Sequence, residues 1–207
     1  MFALTIDRRG SQRHARDLDM RAERENLRRT LPRPVLDWDI SAGDELQALY
    51  DDPASACRAL FALADSGEWH VGMGIGDVDR PLAQAVREST GPAFVAARQA
   101  VEAAKERETP ALCGTAWAQR AEAVLTLVCA VRSRRSGPGR EAAALADAGL
   151  TQREMAEHLG ITQSSVSRRL GAALWQQEQA ARASVTALLA LADAAVPYPA
   201  PSNTEEP

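Results

Sequence analysis

Residues 150–170, LTQREMAEHLGITQSSVSRRL, constrain the fold more than any other part of the chain. Thr151 and Thr162 each precede helix-forming residues, at positions where a hydroxyl commonly caps the N-terminus of a helix. Gly160 lies between the two stretches, where a glycine commonly ends a helix. The pattern therefore predicts two short helices joined by a tight turn.

The apolar residues of this segment recur at helical intervals, so that each predicted helix has one apolar face. They are Met155, Ala156, Leu159, Ile161, Val166 and Leu170. A small residue is required at Ala156 for the two helices to cross closely. A small residue four positions before the glycine, with an apolar residue directly after it, is a narrower pattern than amphipathicity alone. We therefore predict a helix-turn-helix rather than an ordinary helical hairpin.

The second predicted helix turns a set of hydrogen-bonding side chains outward. They are Gln163, Ser164, Ser165, Ser167, Arg168 and Arg169. This set contains no carboxylate, and its donors and acceptors suit the base edges of a DNA major groove. We expect base contacts from Gln163, Ser164, Ser167 and Arg168. Phosphate contacts are expected from Arg135, Arg140, Arg153, Arg169 and the hydroxyls of Thr151 and Thr162.

Residues 139–175 resemble the helix-turn-helix of sigma factor region 4 and of LuxR-type regulators, which implies that the second helix reads base edges in double-stranded DNA. The chain has a net charge of −4, which by itself disfavours phosphate binding. Its acidic residues lie mostly in the first two thirds, however, and arginines are concentrated in and just before the motif. A protein-binding scaffold is the alternative function for such a hairpin.

With 207 residues, 45% of them apolar, the chain has room for one large domain or two small ones and for a packed core. It has no long apolar run and no signal-like N-terminus, so we expect a cytoplasmic protein without membrane association. Cys57, Cys113 and Cys129 are odd in number and widely spaced, and we expect neither disulfides nor a zinc site from them.

The first 115 residues are predicted to form an α+β domain. Strands are expected at 2–6, 35–41, 46–50, 69–76 and 109–115, and helices at 13–31, 53–66 and 91–106. This order is that of a ferredoxin-like sandwich. Residues 116–138 are predicted to form a connecting helix and linker, with 133–140 (SRRSGPGR) as the linker itself. The DNA-binding domain with a C-terminal helix is expected at 139–195, and a disordered tail at 196–207.

Three glycines alternate with apolar residues in one predicted strand, Trp69 to Gly76. Gly72, Gly74 and Gly76 therefore share a face without side chains, and we expect another element, such as a helix, to pack closely over it. The spacing keeps the period of a strand and does not lead into a helix, so it is not a dinucleotide-binding loop.

Four segments of the first domain resemble motifs of the class III nucleotide cyclases and occur in the same order along the chain. They are 6–11 (IDRRGS), 43–49 (GDELQAL), 71–76 (VGMGIG) and 91–98 (GPAFVAAR). The domain is most similar to the SatD-like proteins, distant members of that superfamily. The resemblance implies that Asp7 and Asp44 hold divalent metal ions such as Mg²⁺.

Most of the other catalytic positions of the cyclases do not match. Ile40 replaces the purine-selecting lysine, Val95 replaces the asparagine that orients the ribose, and Arg98 lies one residue short of the arginine that stabilises the transition state. Losing such groups removes most of the electrostatic stabilisation that catalysis needs. We therefore predict a degenerate domain without catalytic residues, and an active metal-dependent cyclase or phosphotransferase is the alternative.

A ligand is nevertheless an open alternative for this domain. Arg8, Arg9 and Arg13, with Arg98, are candidates for binding a phosphate-bearing nucleotide, such as a second messenger. The competing interpretation is a solvated helix face, since acidic residues alternate with the arginines. We expect a homodimer and no obligatory cofactor. The dimer could form through this domain or through an apolar stripe on a helix at 172–195, and the alternative for that stripe is burial against residues 117–131 of the same chain.

Overall fold

The computed structural model describes residues 1–10 and 19–195, and within them the chain divides into two compact units. The first unit contains Met1–Ala123 and the chain from Val185 onward, and the second contains Val124–Ser184. The predicted tail at 196–207, Arg13 and the beginning of the helix predicted at 13–31 lie outside the described residues.

The first unit is built on a five-stranded mixed sheet. Its strands are β1 (Phe2–Arg8), β2 (Leu36–Ala42), β3 (Glu45–Tyr50), β4 (Trp69–Ile75) and β5 (Ala111–Cys113). Their order in the sheet is β2-β3-β1-β4-β5. Neighbouring strands are antiparallel except for β4 and β5, which are parallel. All five predicted strands are therefore present.

Helices α1 (Met20–Thr30), α2 (Pro53–Ser66) and α3 (Pro92–Arg107) connect the strands of this sheet. Asp19 caps α1 and Asp52 caps α2, each carboxylate accepting backbone N–H groups of the first turn. Pro53 and Pro92 begin their helices, where a missing N–H costs no hydrogen bond. The bounds of α2 and α3 agree with the predicted helices within one residue, whereas Asp19 and Leu31, which belong to the helix predicted at 13–31, flank α1 in extended conformation.

Helix α3 packs directly on the glycines of β4, which confirms the prediction of a close neighbour. A Cβ atom added to Gly74 would lie 2.0 Å from the carbonyl oxygen of Ala93, and one added to Gly72 would lie 2.2 Å from the backbone nitrogen of Val101. Both distances are shorter than any van der Waals contact, so the backbone of α3 occupies the space of the missing side chains. The opposite face of the sheet carries Phe2, Leu4 and Ile6, which are fully buried.

Charged side chains form hydrogen bonds with the backbone of β2 and β5, the two edge strands of the sheet. On β2, the amide of Trp38 donates to the carboxylate of Asp37 and its carbonyl accepts from Arg28 of α1, each at 2.9 Å. On β5, the amide of Leu112 donates to the carboxylate of Glu122 at 2.6 Å. These polar groups of the sheet border therefore have partners within the same chain.

The second unit consists of helices. It contains the end of α4 (Ala116–Ser133), then α5 (Gly137–Asp147), α6 (Gln152–Leu159) and α7 (Gln163–Ala172), and the beginning of α8 (Trp175–Ala194). The linker predicted at 133–140 is shorter than expected. Ser136 caps α5 by accepting the amide of Gly139 at 3.2 Å, and Pro138 stands in the first turn, so the second half of the predicted linker is helical.

No disulfide links Cys57, Cys113 and Cys129. Among residues 1–10 and 19–195, no helix combines the length and the apolar character needed to cross a membrane.

Candidate DNA-binding interface

A reciprocal cap fixes the beginning of α6. The Thr151 hydroxyl accepts the amide of Glu154 at 3.3 Å, and the Glu154 carboxylate accepts the amide of Thr151 at 2.7 Å. Hydrogen bonds from Thr151 hold the pKa of the Glu154 carboxyl below its ordinary value. The helix ends at Gly160, which has a φ of 62° in the left-handed region. Both boundaries confirm the prediction.

A second threonine begins α7. The Thr162 hydroxyl accepts the amide of Ser165 at 3.2 Å. The turn before it is closed by Ile161, whose amide donates to the carbonyl of Ala156 at 3.1 Å. Since only one short turn separates the two helices, the orientation of α7 is set by the end of α6.

An apolar cluster packs α5, α6 and α7 together. Its buried members are Ala142, Met155, Ala156, Val166 and Leu170, and Leu159 and Ile161 pack against them half-buried. All the apolar residues of the predicted helix-turn-helix are present in this cluster. Ala142 comes from α5, a helix that the sequence pattern did not single out. The three helices therefore form a small core of their own.

The outward face of α7 is exposed and carries the predicted base-contacting side chains. Gln163, Ser164, Ser167 and Arg168 are exposed, and Ser165 is half-buried. The Ser165 hydroxyl lies 2.9 Å from that of Thr162 and accepts from the Arg168 guanidinium at 3.2 Å. The guanidinium is thereby held over the N-terminal turn of α7, beside the other polar side chains.

Most of the predicted phosphate-contacting arginines are accessible on this unit. Arg153 is exposed on the first turn of α6, and Arg140 is exposed while donating to the carbonyl of Arg135. Arg169 is half-buried, and its guanidinium lies 3.5 Å from the Glu141 carboxylate on α5. Both side chains of this pair are accessible to solvent, and such a pair contributes little to stability. Arg169 can therefore exchange the carboxylate for a DNA phosphate at a small cost in free energy.

Arg135 is buried, unlike the other arginines predicted to contact phosphates. Its guanidinium donates to the carbonyl of Ala173 at 2.8 Å and forms an ion pair with Glu178, and its side chain is 4% exposed. The carbonyl belongs to the residue that ends α7. Arg135 therefore supports α7 from the interior of the unit, and its buried guanidinium is not accessible to a DNA phosphate.

Glu178 is the partner that sequence reasoning missed. Its buried carboxylate pairs with Arg132 and Arg182 at 2.7 Å each, in addition to Arg135. Burial alone would raise the pKa of this carboxyl, but the three arginines hold it below its ordinary value. The arginines that sequence analysis counted as a basic cluster are thus in part an internal ion-pair network joining α4 and α8.

The candidate ligand-binding arginines of the first unit are also engaged in ion pairs. Arg8 lies 3.4 Å from Glu23 and 3.2 Å from Glu68, and its guanidinium stacks over the ring of Trp69 at 4.9 Å from the centroid. Arg9 pairs with Glu108 and donates to the carbonyl of Trp69 at 3.0 Å. This arrangement is that of a neutralised surface and does not favour an anion.

Arg98 has a carboxylate partner as well. Its guanidinium bonds to the buried Glu45 carboxylate at 2.8 Å. The same carboxylate accepts from the Ser41 hydroxyl at 2.6 Å and from the Gln47 amide at 3.2 Å. Glu45 is a charged residue in a strand position that faces α3, and this position is a signal in the sequence that anticipates a partner for Arg98.

The two predicted metal ligands lie at the same end of the sheet. Asp7 is the penultimate residue of β1 and pairs with Glu45, and Asp44 precedes Glu45 in the hairpin turn. The Asp7 carboxylate, however, lies 2.9 Å from the ammonium group of Lys105. Burial alone would lower the pKa of Lys105, but hydrogen bonds to Asp7 and Glu102 raise it, so this cation is firmly charged.

A resident cation next to Asp7 makes the position unfavourable for a metal ion. Among residues 1–10 and 19–195, moreover, no group of three or more His, Cys, Asp or Glu side chains is arranged to hold a metal. Binding of Mg²⁺ by Asp7 and Asp44 stays a prediction, since this ion can be held by one or two carboxylates together with water.

Comparison with known protein families gives a match that falls on the second unit. Residues 142–173 match the model of a family described as winged helix-turn-helix DNA-binding. No curated protein and no solved structure matches the chain. In the described range 124–184 the chain is helical or in turns, and α7 is followed directly by α8 rather than by the β-hairpin that forms a wing. The match covers α6, α7 and the second half of α5, so residues 142–173 form a DNA-binding helix-turn-helix that is similar to the one in this winged family.

Proposed function

We propose that the protein is a sequence-specific transcriptional regulator that binds double-stranded DNA through α7. The observation that carries this proposal is the exposed face of α7, where polar and positively charged side chains occur without a carboxylate. A face of this chemistry, held by a small helical core, suits insertion into a major groove. The family match at 142–173 supports the DNA-binding part of the proposal.

The proposed contacts divide into two classes. Gln163, Ser164, Ser167 and Arg168 reach base edges, and Ser165 orients Arg168 through its hydroxyl. The exposed arginines outside this face contact phosphates together with the two capping threonines, and they fix the position of the domain without carrying sequence information. They are Arg140, Arg153 and Arg169, with Thr151 and Thr162.

The test is selection of bound sequences from a random DNA pool by the intact protein at about 150 mM salt. Variants then separate the two classes of contact. We expect Arg168→Ala to cost about 1–3 kcal/mol on the selected site and to relax base preference. Arg153→Ala should weaken all sequences alike and reduce the salt dependence of binding by about one phosphate. Equal loss of base preference in both variants would refute the assignment, and absence of any selected sequence would favour the protein-binding alternative.

We further propose that the first unit is a degenerate cyclase-like domain rather than an enzyme. The sheet order β4-β1-β3-β2, with antiparallel neighbours throughout, supports the ferredoxin-like arrangement that this similarity implies. The ion pair between Asp7 and Lys105 supports the loss of catalysis, because it engages a carboxylate that the cyclase mechanism would require.

Asp44→Asn discriminates this proposal from an active metal-dependent cyclase or phosphotransferase. In an enzyme this substitution abolishes metal-dependent turnover of nucleoside triphosphates. In a regulator with a degenerate domain there is no such turnover to lose, and DNA affinity is unchanged.

Dimerisation belongs to the same proposal. Two copies would place two α7 helices about 34 Å apart, one turn of DNA, and would select a palindromic site. A nucleotide effector of the first unit, a Mg²⁺ requirement and a cytoplasmic location stay predictions. Repeating the selection with added nucleotides tests the effector, and the symmetry of the selected sequence tests the dimer.

A further inference from the structure

Arg168 stands at the centre of the face that α7 turns away from the core of the second unit. An α-helix turns by about 100° per residue, so Arg168 lies about 200° around the helix from Val166 and Leu170, which are both buried. Ser164 and Gly171, four residues before and three residues after Arg168, share its face. All three positions of this face are exposed. When this face enters a groove, Arg168 is therefore the side chain that reaches furthest toward the bases.

Gly171 leaves a bare position on this face that the chain itself does not use. Its backbone is helical, and a Cβ atom added to it would meet no atom of the described residues within 4 Å. Neither a turn nor a packed neighbour in this part of the chain therefore requires a glycine there, although glycine is a poor helix former. The missing side chain allows a partner to approach the backbone of α7 closely, which would bring Arg168 deeper into a groove.

The Arg168 guanidinium is oriented by a neutral partner. It donates to the Ser165 hydroxyl at 3.2 Å, and that hydroxyl lies 2.9 Å from the hydroxyl of Thr162. Within the residues that the structure describes, no carboxylate forms an ion pair with Arg168, whereas the neighbouring Arg169 lies 3.5 Å from the Glu141 carboxylate. Arg168 therefore keeps its positive charge uncompensated and most of its N–H donors available to a ligand.

We propose that Arg168 selects a guanine in the DNA site, by donating two parallel hydrogen bonds to O6 and N7 of that base, and that Gly171 allows the close approach this contact needs. A guanidinium has donors only, and guanine is the base that presents two adjacent acceptors in the major groove. Adenine and cytosine present an amino group there, and thymine presents one carbonyl beside a methyl group. This inference rests on the proposed function and adds the identity of one recognised base.

The experiment starts from the sequence that the intact protein selects and measures binding of labelled duplexes by fluorescence anisotropy at about 150 mM salt. In further duplexes 7-deazaguanine replaces each guanine in turn, which keeps base pairing but removes the N7 acceptor. We expect the replacement at one guanine to weaken binding of the unaltered protein by about tenfold, and to have no effect on binding of Arg168→Ala. The matched control is Arg169→Ala, the next arginine of α7, for which the replacement should weaken binding as much as it does for the unaltered protein.

Gly171→Leu tests the close approach of α7. We expect it to weaken binding of the selected duplex by at least about tenfold, because a side chain that overfills a close contact displaces both partners. The thermal unfolding midpoint of the free protein should be unchanged or raised, since leucine favours a helix more than glycine does. The loss of affinity would then not be a loss of folding.

Failure of this inference differs from failure of the proposed function. A selected sequence without guanine would overturn the inference while the proposed DNA binding stands, and so would a deazaguanine effect that persists unchanged in Arg168→Ala. Undiminished binding by Gly171→Leu would overturn the role of Gly171. If no sequence is selected at all, the proposed function itself fails, and the inference fails with it.

Discussion

Replacing Glu178 by glutamine tests whether the buried ion-pair network holds the second unit together. The side chain of Glu178 is 1% exposed and that of its partner Arg135 is 4% exposed, whereas Arg132 and Arg182 are 19% and 25% exposed. Glutamine keeps the size of the side chain but removes the negative charge. The two outer arginines can then turn toward water, and Arg135 cannot.

The expected cost is therefore that of one uncompensated buried charge. Removing one partner of a buried ion pair typically costs about 3–5 kcal/mol. We expect Glu178→Gln near the lower end, because the guanidinium of Arg135 keeps its hydrogen bond to the carbonyl of Ala173. The assay is urea unfolding of the full chain followed by far-ultraviolet circular dichroism, with the midpoint and slope compared between variants.

The double variant Arg135→Met, Glu178→Gln provides the control. Removing both buried charges with side chains of similar volume should recover much of the loss, giving a coupling of at least about 1.5 kcal/mol between the two positions. If Glu178→Gln costs less than about 1 kcal/mol, or if the double variant costs the sum of the single ones, the carboxylate does not compensate Arg135 and the reasoning is refuted.

Three further predictions concern the described contacts. Gly74→Ala should destabilise the first unit by roughly 3 kcal/mol or more, because the new Cβ would lie 2.0 Å from the backbone of α3. Gly76→Ala should cost far less in the same urea assay, because the nearest atom would lie 3.4 Å from its Cβ. Similar costs for the two variants would show that α3 shifts freely. Thr151→Ala should cost about 1 kcal/mol in thermal unfolding through loss of the cap of α6, and Thr151→Ser should not; equal effects would exclude the hydroxyl as the cause. Because the folded pKa of Glu178 is depressed, its stabilising contribution should be complete above the unfolded value of about 4.3 and should be lost as pH falls through the folded value; in Glu178→Gln this part of the acid dependence should disappear.

The helix-turn-helix was predictable from sequence because every signal for it is local. The caps at Thr151 and Thr162, the turn at Gly160 and the apolar period lie within one short segment, and the structure forms each of them. The bare face of β4 was equally predictable, since Gly72 and Gly74 reveal by themselves that something must approach closely.

The misjudged features depend on residues that are distant in the chain or on signals that compete. Arg135 was expected at the surface, and its burial depends on Glu178, 43 positions later, which no local pattern reveals. The two glycines and the proline that follow Ser136 predict a linker at the beginning of α5. The serine cap and the proline in the first turn predict a helix there, and in the structure these two signals prevail.

The hydrogen bonds between charged side chains and the edge strands of the sheet oppose pairing of these strands with another molecule. Addition of a further strand needs backbone amides and carbonyls without partners, whereas the amide and carbonyl of Trp38 and the amide of Leu112 already bond to Asp37, Arg28 and Glu122. A strand of a neighbouring molecule that paired with β2 or β5 at these residues would first have to break the contacts with the charged side chains. At these two positions the side chains of the chain itself thus oppose extension of the sheet from molecule to molecule.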